Sequence, residues 1–405
     1  MTTDSSANTT ELLRRVQAYN SLNNIGVLQY KSYRDLPDVD SSNVGQIVYV
    51  SGSEDDSFGT FFFARAIADD YGNLTSVDSL NAGWQKIVLN ANDSDNFANI
   101  TDRRLPDFTY QGLNYGYTSG GYTPVSPFST NVIQKYSFTA DGNSTDVGDL
   151  VLARSEAAGT ISSTHGYAIS SGNPVFPTMT AEATIEKFAF VSDGNGIGVG
   201  DLANRERSLA TGNSSGTHGY VSGGGLPSPN INDIQKFTLS VDANATDVGD
   251  LTTTVFSQSG GASSTTHGYR SGGQQPANLN VIDKWPFSTD ANATDVGDLL
   301  TTRVGPGGQS STTHGYAVGG SDPGWQNQIQ KYSFSVDGNS TDVGDLTSAA
   351  RYPATASSTS YGYSAGGQSP AYINVINKHP FTADANATDV GDLLATTYGA
   401  SGAHY

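Results

Sequence analysis

The chain has 405 residues, a formal net charge of −19 and no cysteine, which excludes a disulfide framework, a thiolate metal site and a cysteine nucleophile. Its 20 Lys and Arg are scattered among 39 Asp and Glu, so the basic stripe that nucleic-acid binding requires is missing. Glycine, at 47 residues, exceeds its usual share of roughly 7%. With 37 Tyr and Phe residues, this composition points to an all-β chain of short strands and tight turns.

Residues 1–25 hold "ELLRRVQAYNSLNN", where Leu12, Val16 and Tyr19 fall on one face of a short amphipathic helix. A helix of that length does not stand alone in water, so it needs a partner. The opening lacks the basic start and apolar core of a secretory signal. The most apolar stretch, "GTFFFARAIA", is too short to span a bilayer, so neither secretion nor membrane insertion is expected. Residues 26–89 alternate strand-like segments ("GQIVYV", "TFFFARAIA", "GWQKIVL") with turns and read as a small β module. Residues 90–106 read as a linker.

From residue 107 to 405 the chain repeats itself. The tripeptide Gly-Asp-Leu begins at Gly148, Gly200, Gly249, Gly297, Gly344 and Gly391, at steps of 52, 49, 48, 47 and 47 residues, a period suited to one blade of a β-propeller. Each unit runs through a Ser/Thr-rich approach to Gly-Tyr, a variable loop bearing proline, an Ile-x-Lys-aromatic-x-apolar strand and an acidic turn. In an extended strand alternate residues share a face, so Ile and Lys project one way and the aromatic and closing apolar residue the other. Bulk on both faces suits a sheet held between two neighbouring sheets. Six such units predict a six-bladed ring, closed by the tail "TTYGASGAHY", which either supplies a strand to the first blade or seals against "FTYQGLNYGY".

The acidic turns read "DGNSTDVGD", "DGNGIGVGD", "DANATDVGD" and close variants. Two readings stay open. In one, Asp caps its own backbone within a turn and the recurrent lysines Lys135, Lys187, Lys236, Lys284, Lys331 and Lys378 pair with the closing aspartates Asp149, Asp201, Asp250, Asp298, Asp345 and Asp392. In the other, alternate oxygens, as at Asp141, Asn143, Asp337 and Asn339, hold calcium, the one cofactor in view. Against calcium, Asp stands where a calcium loop has glycine, and Ile197-Gly198 supplies no side-chain oxygen. His165, His218, His267 and His314 share one repeat position and could gather a metal, but Tyr115 and Tyr361 occupy it in the other units, which favours packing.

The loops after the glycine doublet break the repeat and display Phe128, Phe176, Leu226, Leu279, Trp325 and Tyr372. Variable loops on a rigid scaffold are where recognition usually resides, and aromatics held by proline-bearing loops give contact area at low entropic cost. No nucleophile elbow or phosphate-binding loop is present, and the ring's few glutamates, Glu156, Glu182, Glu186 and Glu206, all lie in its first third. These observations favour binding over catalysis.

At "GYAVGG" and "NQIQKYSF" the units resemble kelch-type propeller repeats over residues 106 to 405. That resemblance implies a kelch-like six-bladed propeller, although the Trp usual later in a kelch blade is missing, which leaves three or four strands per blade open. "YRDLPDVDSSNVGQIVYVSGSED" with "LNAGWQKI" resembles small β modules in structural proteins of tailed bacteriophages, and the "ATDVGDL" units look like repeats in virion proteins of cyanobacterial phages. This second resemblance implies a virion appendage: a tail fibre, tail-associated or capsid-decoration protein assembled in the host cytoplasm. Its N-terminal part would anchor to other virion proteins as a homo-oligomer, such as a trimer, and its propeller loops would touch a glycan or protein receptor on the host surface. A free-standing carbohydrate-binding or scaffolding propeller is the alternative, followed by a polysaccharide-degrading enzyme.

Overall fold

A computed structural model describes four short strands within the first 108 residues and residues 114–402 apart from 127, 174–179, 204–206 and 226–230. The chain divides into two compact units, residues 1–108 and 109–405. In the first, Leu28–Tyr30, Ile47–Val50, Thr60–Ala64 and Trp84–Ile87 pair in that order, the first pair parallel and the others antiparallel. The expected helix around Leu12 to Tyr19 and the linker over 90–106 lie outside the described residues.

The second unit is a six-bladed β-propeller in which each blade is a meander of four antiparallel strands. Blade 2 comprises Ala158–Ile161, His165–Asn173, Thr180–Ala189 and Ile197–Asp201, counted from the axis outward. Blades 3 to 6 repeat this plan with inner strands Thr211–Ser214, Gly260–Ser263, Gly307–Ser310 and Ala354–Ser357. Blade 4 adds the two-residue strand Gln274–Gln275 beside its third strand. Blade 1 takes Tyr115–Ser119, Val132–Ser137 and Thr145–Asp149 from the start of the unit and its inner strand, Ser401–Gly402, from the C-terminal end. Ser401 lies opposite Ser119, whose hydroxyl is 2.6 Å from its own, so the tail closes the ring.

Around the axis the inner strands meet largely through backbone. An added Cβ on Gly212 would land on the carbonyl oxygen of Gly159, one on Gly261 on that of Gly212, and one on Gly308 on that of Gly261. The circle continues with Gly402 against Thr355 and Gly159 against Gly402. Five of the six inner strands therefore approach a neighbour to backbone contact through a glycine, while blade 6 has Thr355 at that position, and the cavity left at the axis holds about 20 Å³, room for about one water. Each inner strand is also a sheet edge whose N–H groups need partners. Serine hydroxyls of the next blade supply them: Ser214 accepts from Ile161, Ser263 from Ser214, Ser310 from Ser263 and Ser357 from Ser310, at 2.8–3.1 Å.

Further out, the repeat residues act in pairs. The Gly of each Gly-Tyr lies opposite the third-strand aromatic, as Gly268 does Trp285 and Gly116 Tyr136. The ring lies flat over the glycine, 2.5 Å from where a Cβ would stand. The Tyr of Gly-Tyr wedges between blades: Tyr117 stacks on Phe190, Tyr220 on Phe287, Tyr269 on Phe334, Tyr316 on Phe381 and Tyr363 on Phe138, with centroids 4.4–4.8 Å apart. The six strand isoleucines from Ile133 to Ile376 are fully buried. The first glycine of each doublet adopts positive φ, and in blade 2 Ser170 adopts it instead at 52°, so the departure from glycine there leaves the backbone path unchanged.

Gly212→Ala is expected to lower stability by about 3 kcal/mol in denaturant unfolding, because neither carbonyl nor strand can retreat. Gly338→Ala, with nothing within 4 Å of the new Cβ and Ala291 at the matching position of another turn, should stay within about 0.5 kcal/mol of the parent.

Candidate functional site

In a meander of this kind the Ser/Thr-rich and acidic turns lie at one face of the ring, and the second-to-third-strand loops and interblade connections lie at the other. At the first face the lysines pair across blade boundaries, but not with the closing aspartates. Lys135, Lys187, Lys236, Lys284, Lys331 and Lys378 reach Asp193, Asp242, Asp290, Asp337, Asp384 and Asp141, the first aspartate of the next blade's turn, at 2.5–2.8 Å. Register is the reason. Lys135 lies opposite Thr145, while Asp149 lies opposite Val132, three residues away, or about 10 Å along a strand.

The closing aspartates work through their backbone. The N–H groups of Asp149, Asp201, Asp250, Asp298, Asp345 and Asp392 donate to Asn195, Asn244, Asn292, Asn339, Asn386 and Asn143 of the next turn at 3.0–3.1 Å. Their carbonyls accept an N–H from the same turn at 2.7–2.9 Å. The calcium reading does not survive this geometry. Asp141 and Asp337 hold lysine ammonium groups, and Asn143 and Asn339 spend their oxygens on backbone N–H groups. A donor set so engaged cannot offer the six to eight oxygens calcium takes.

The four histidines stay within their own blades, each Nδ1 lying 2.8 Å from the hydroxyl of the threonine before it. Burial, then the blade's own lysine, holds each below the usual histidine range. Among the described residues no three metal-ligating side chains come together.

The sequence reading missed a set of buried arginines. Arg154, Arg207, Arg270 and Arg303 are completely buried. Arg154 bonds Glu186, Arg207 grips both oxygens of Asp233 at 2.5 and 2.9 Å, Arg270 reaches Asp283 at 3.2 Å and Arg303 bonds Gln328. Arg154, Arg207 and Arg303 leave one blade's outer strand and reach into the next blade, so they staple neighbours together. The signal was present: Arg follows the Leu of Gly-Asp-Leu by four or five residues at Arg154, Arg207, Arg303 and Arg351.

The opposite face is where the repeat breaks. The interblade connections form a collar around the axis: Glu156 N–H donates to Gly399 C=O, Gly399 to Tyr352, Tyr352 to Gly305 and Gly305 to Gln258, at 2.5–3.1 Å. These equivalent positions carry five links' worth of different chemistry, with Leu209 N–H donating to Glu156 C=O at 3.0 Å. Outward from the collar runs an aromatic arc. Phe128 stacks on Tyr122 at 6.0 Å, Tyr122 meets Tyr372 at 5.7 Å and Tyr398 at 5.1 Å, and Tyr398 meets Tyr352 at 6.1 Å. Arg351 bridges Tyr352 to Trp325, its guanidinium 5.2 and 4.7 Å from the two ring centres.

Of the loop residues singled out in the sequence, Phe128, Trp325 and Tyr372 thus belong to one surface spanning blades 5, 6 and 1. Leu279 does not: it lies in the third strand of blade 4 and packs against the core around Ile234, Leu251 and Trp285. Its strand begins earlier than the loop pattern suggested, so it covers the blade. Phe176 and Leu226 lie outside the described residues. Tyr122, Arg351, Tyr352 and Tyr398 were not anticipated: Tyr122 meets Tyr372 and Tyr398 only through ring closure, and Arg351 and Tyr352 join the arc from an interblade connection.

Glu156 sits beside Gly399 at the inner end of the arc. Burial raises its carboxyl to about 7, with Arg351 pulling the other way. Between its ordinary value and 7 the folded chain keeps a proton that the unfolded chain releases. The contribution of Glu156 therefore favours folding at acid pH and is lost as pH rises through 7. His379, buried and lowered to about 4, acts oppositely in acid, so a comparison with Glu156→Gln isolates the carboxyl. The variant should melt close to the parent at pH 5 and increasingly above it by pH 8 in a thermal series. At the blade boundaries, Arg207→Ala should cost about 3–5 kcal/mol by stranding buried Asp233. Asp290→Ala, whose carboxylate is 57% exposed, should cost under about 1 kcal/mol; denaturant titration reads both.

No protein-family model matches the chain and neither does any curated protein.

Proposed function

We propose that the chain is a non-enzymatic recognition protein of a phage virion, a tail fibre, tail-associated or capsid-decoration protein whose propeller binds a glycan on the host surface. The observation that carries the recognition half is the aromatic arc. Exposed Phe128 and partly exposed Tyr122, Trp325, Tyr372 and Tyr398 bring rings from three blades to one surface of a rigid scaffold, and the apolar C–H faces of sugar rings stack on aromatic surfaces. Arg351, Glu156 and the tyrosine hydroxyls supply the polar groups that orient a hydroxylated ligand. The axial cavity, at about 20 Å³, admits no sugar, so the ligand lies across the face.

The virion half draws its support from residues 33–55 and 80–87, whose pattern resembles phage structural modules. On this reading the N-terminal region joins the protein to other virion proteins, as a trimer or another homo-oligomer, and presents the propeller outward. A free-standing glycan-binding propeller would use the same arc without the anchor.

The full-length chain on a glycan array, with released sugar assayed in parallel, tests the recognition. Binding without turnover is expected. Trp325→Ala and Tyr372→Ala should each weaken it tenfold or more, about 1.4 kcal/mol, while Val241→Ser, exposed on the other face, should not. Released product, or binding indifferent to both aromatic variants, would overturn it. Antibody labelling of particles in negative-stain microscopy tests the virion assignment, and a propeller found only off the particle would leave the free-standing reading.

A further inference from the structure

Arg351 departs from its repeat equivalents in a way that names the ligand's charge. Arg154, Arg207 and Arg303 occupy the matching place after Gly-Asp-Leu, turn inward and are completely buried. Two of them are neutralised by carboxylates and the third is bonded to an amide. Arg351 is only partly buried and forms no ion pair with any described residue. Its Nε and Nη2 share a single acceptor, Gln368 Oε1, at 3.1 and 2.9 Å. Its Nη1 donates to no group among the described residues. Trp325 and Tyr352 hold the guanidinium plane in place from their ring faces.

A fixed guanidinium with free N–H donors at the edge of an aromatic platform suits a planar anion, because the guanidinium fork matches a carboxylate and stacking removes the entropic cost of ordering it. The setting adds to this. In a chain of net charge −19, a fixed positive group without a carboxylate partner on the recognition face stands against the field of the rest of the molecule. Glu156 is the carboxylate that acts on it, and it does so without closing a salt bridge.

Resting on the glycan reading above, we infer that the arc selects a carboxylate-bearing saccharide of the uronic acid type, with sugar rings stacked on Trp325 and Tyr372 and a carboxylate on Arg351. Neutral chains would stack on the same rings and lack the ionic contact.

Calorimetric titration of the full-length protein tests this with uronic acid oligomers and the same oligomers after reduction of their carboxyl groups, so that the ring and linkage stay constant and only the charge differs. The uronates are expected to bind at least tenfold more tightly than their reduced counterparts, with the preference shrinking as salt rises. Arg351→Gln should remove the preference while leaving the weaker neutral binding, and Arg351→Lys should keep part of it. Melting temperatures of both variants verify folding, and if the Gln variant does not fold, the Lys variant carries the comparison through a reduced preference. Equal affinity for charged and reduced oligomers in the parent, or a preference that survives undiminished in the variants, overturns the inference and leaves the glycan reading standing. Binding of neither set, with no binding elsewhere on the array, overturns both.

Discussion

Six inner strands that meet backbone to backbone set the geometry of everything outside them. With Gly159, Gly212, Gly261, Gly308 and Gly402 each pressed against a neighbouring carbonyl, the strands cannot move inward, and the serine hydroxyls that cap their edge N–H groups fix their height along the axis. The angle between blades follows, and the space between them is filled by one Tyr and one closing apolar residue per boundary. A Cβ added at any of these five glycines would propagate outward, because protein interiors are packed too closely to absorb it.

The acidic turn that gives the sequence its rhythm is a fastening. Each turn meets the preceding blade through one lysine–aspartate pair and two bonds to a closing aspartate's backbone. The ion pairs are half exposed and contribute little singly; the backbone bonds, which satisfy groups at the outer end of every blade, set the alignment. Gly148 and its equivalents allow this, since a side chain there would strike the neighbouring turn. A second fastening lies deeper, where Arg154, Arg207 and Arg303 reach from one blade into the next. Such buried groups stabilise chiefly by being paired, and unpairing one is costly.

Symmetry holds on the turn face and fails on the loop face. The collar positions Glu156, Leu209, Gln258, Gly305, Tyr352 and Gly399 differ from unit to unit, as do the loops carrying Phe128, Trp325 and Tyr372. A scaffold specified six times over holds these groups at low conformational freedom, which is the condition under which a few aromatic and charged side chains confer selectivity. The recognition role proposed for the protein rests on that division between a repeated frame and an unrepeated surface.

Local pattern was enough to determine the all-β class, the six-unit ring, the burial of isoleucine and aromatic on opposite faces, and the involvement of the lysines in recurring contacts; which of its two expected roles the C-terminal tail takes, a strand of blade 1, was decided by the pairing of Ser401 with Ser119. These depend on periodicity and on residue types repeated in the same order, which any one unit displays. Partners across a blade boundary were not legible. The lysines meet the first aspartate of the next turn rather than the closing one because strand register, set by hydrogen bonding, separates Lys135 from Asp149. Leu279 went to the core because its strand starts earlier than the loop pattern implied. The aromatic arc could be seen only as separate loop residues, since Tyr122 and Tyr398, 276 positions apart, become neighbours when the ring closes. Sequence by itself determined the unit and its number; the tertiary structure decided which units' residues touch, because those contacts depend on the curvature that the glycine-lined axis imposes.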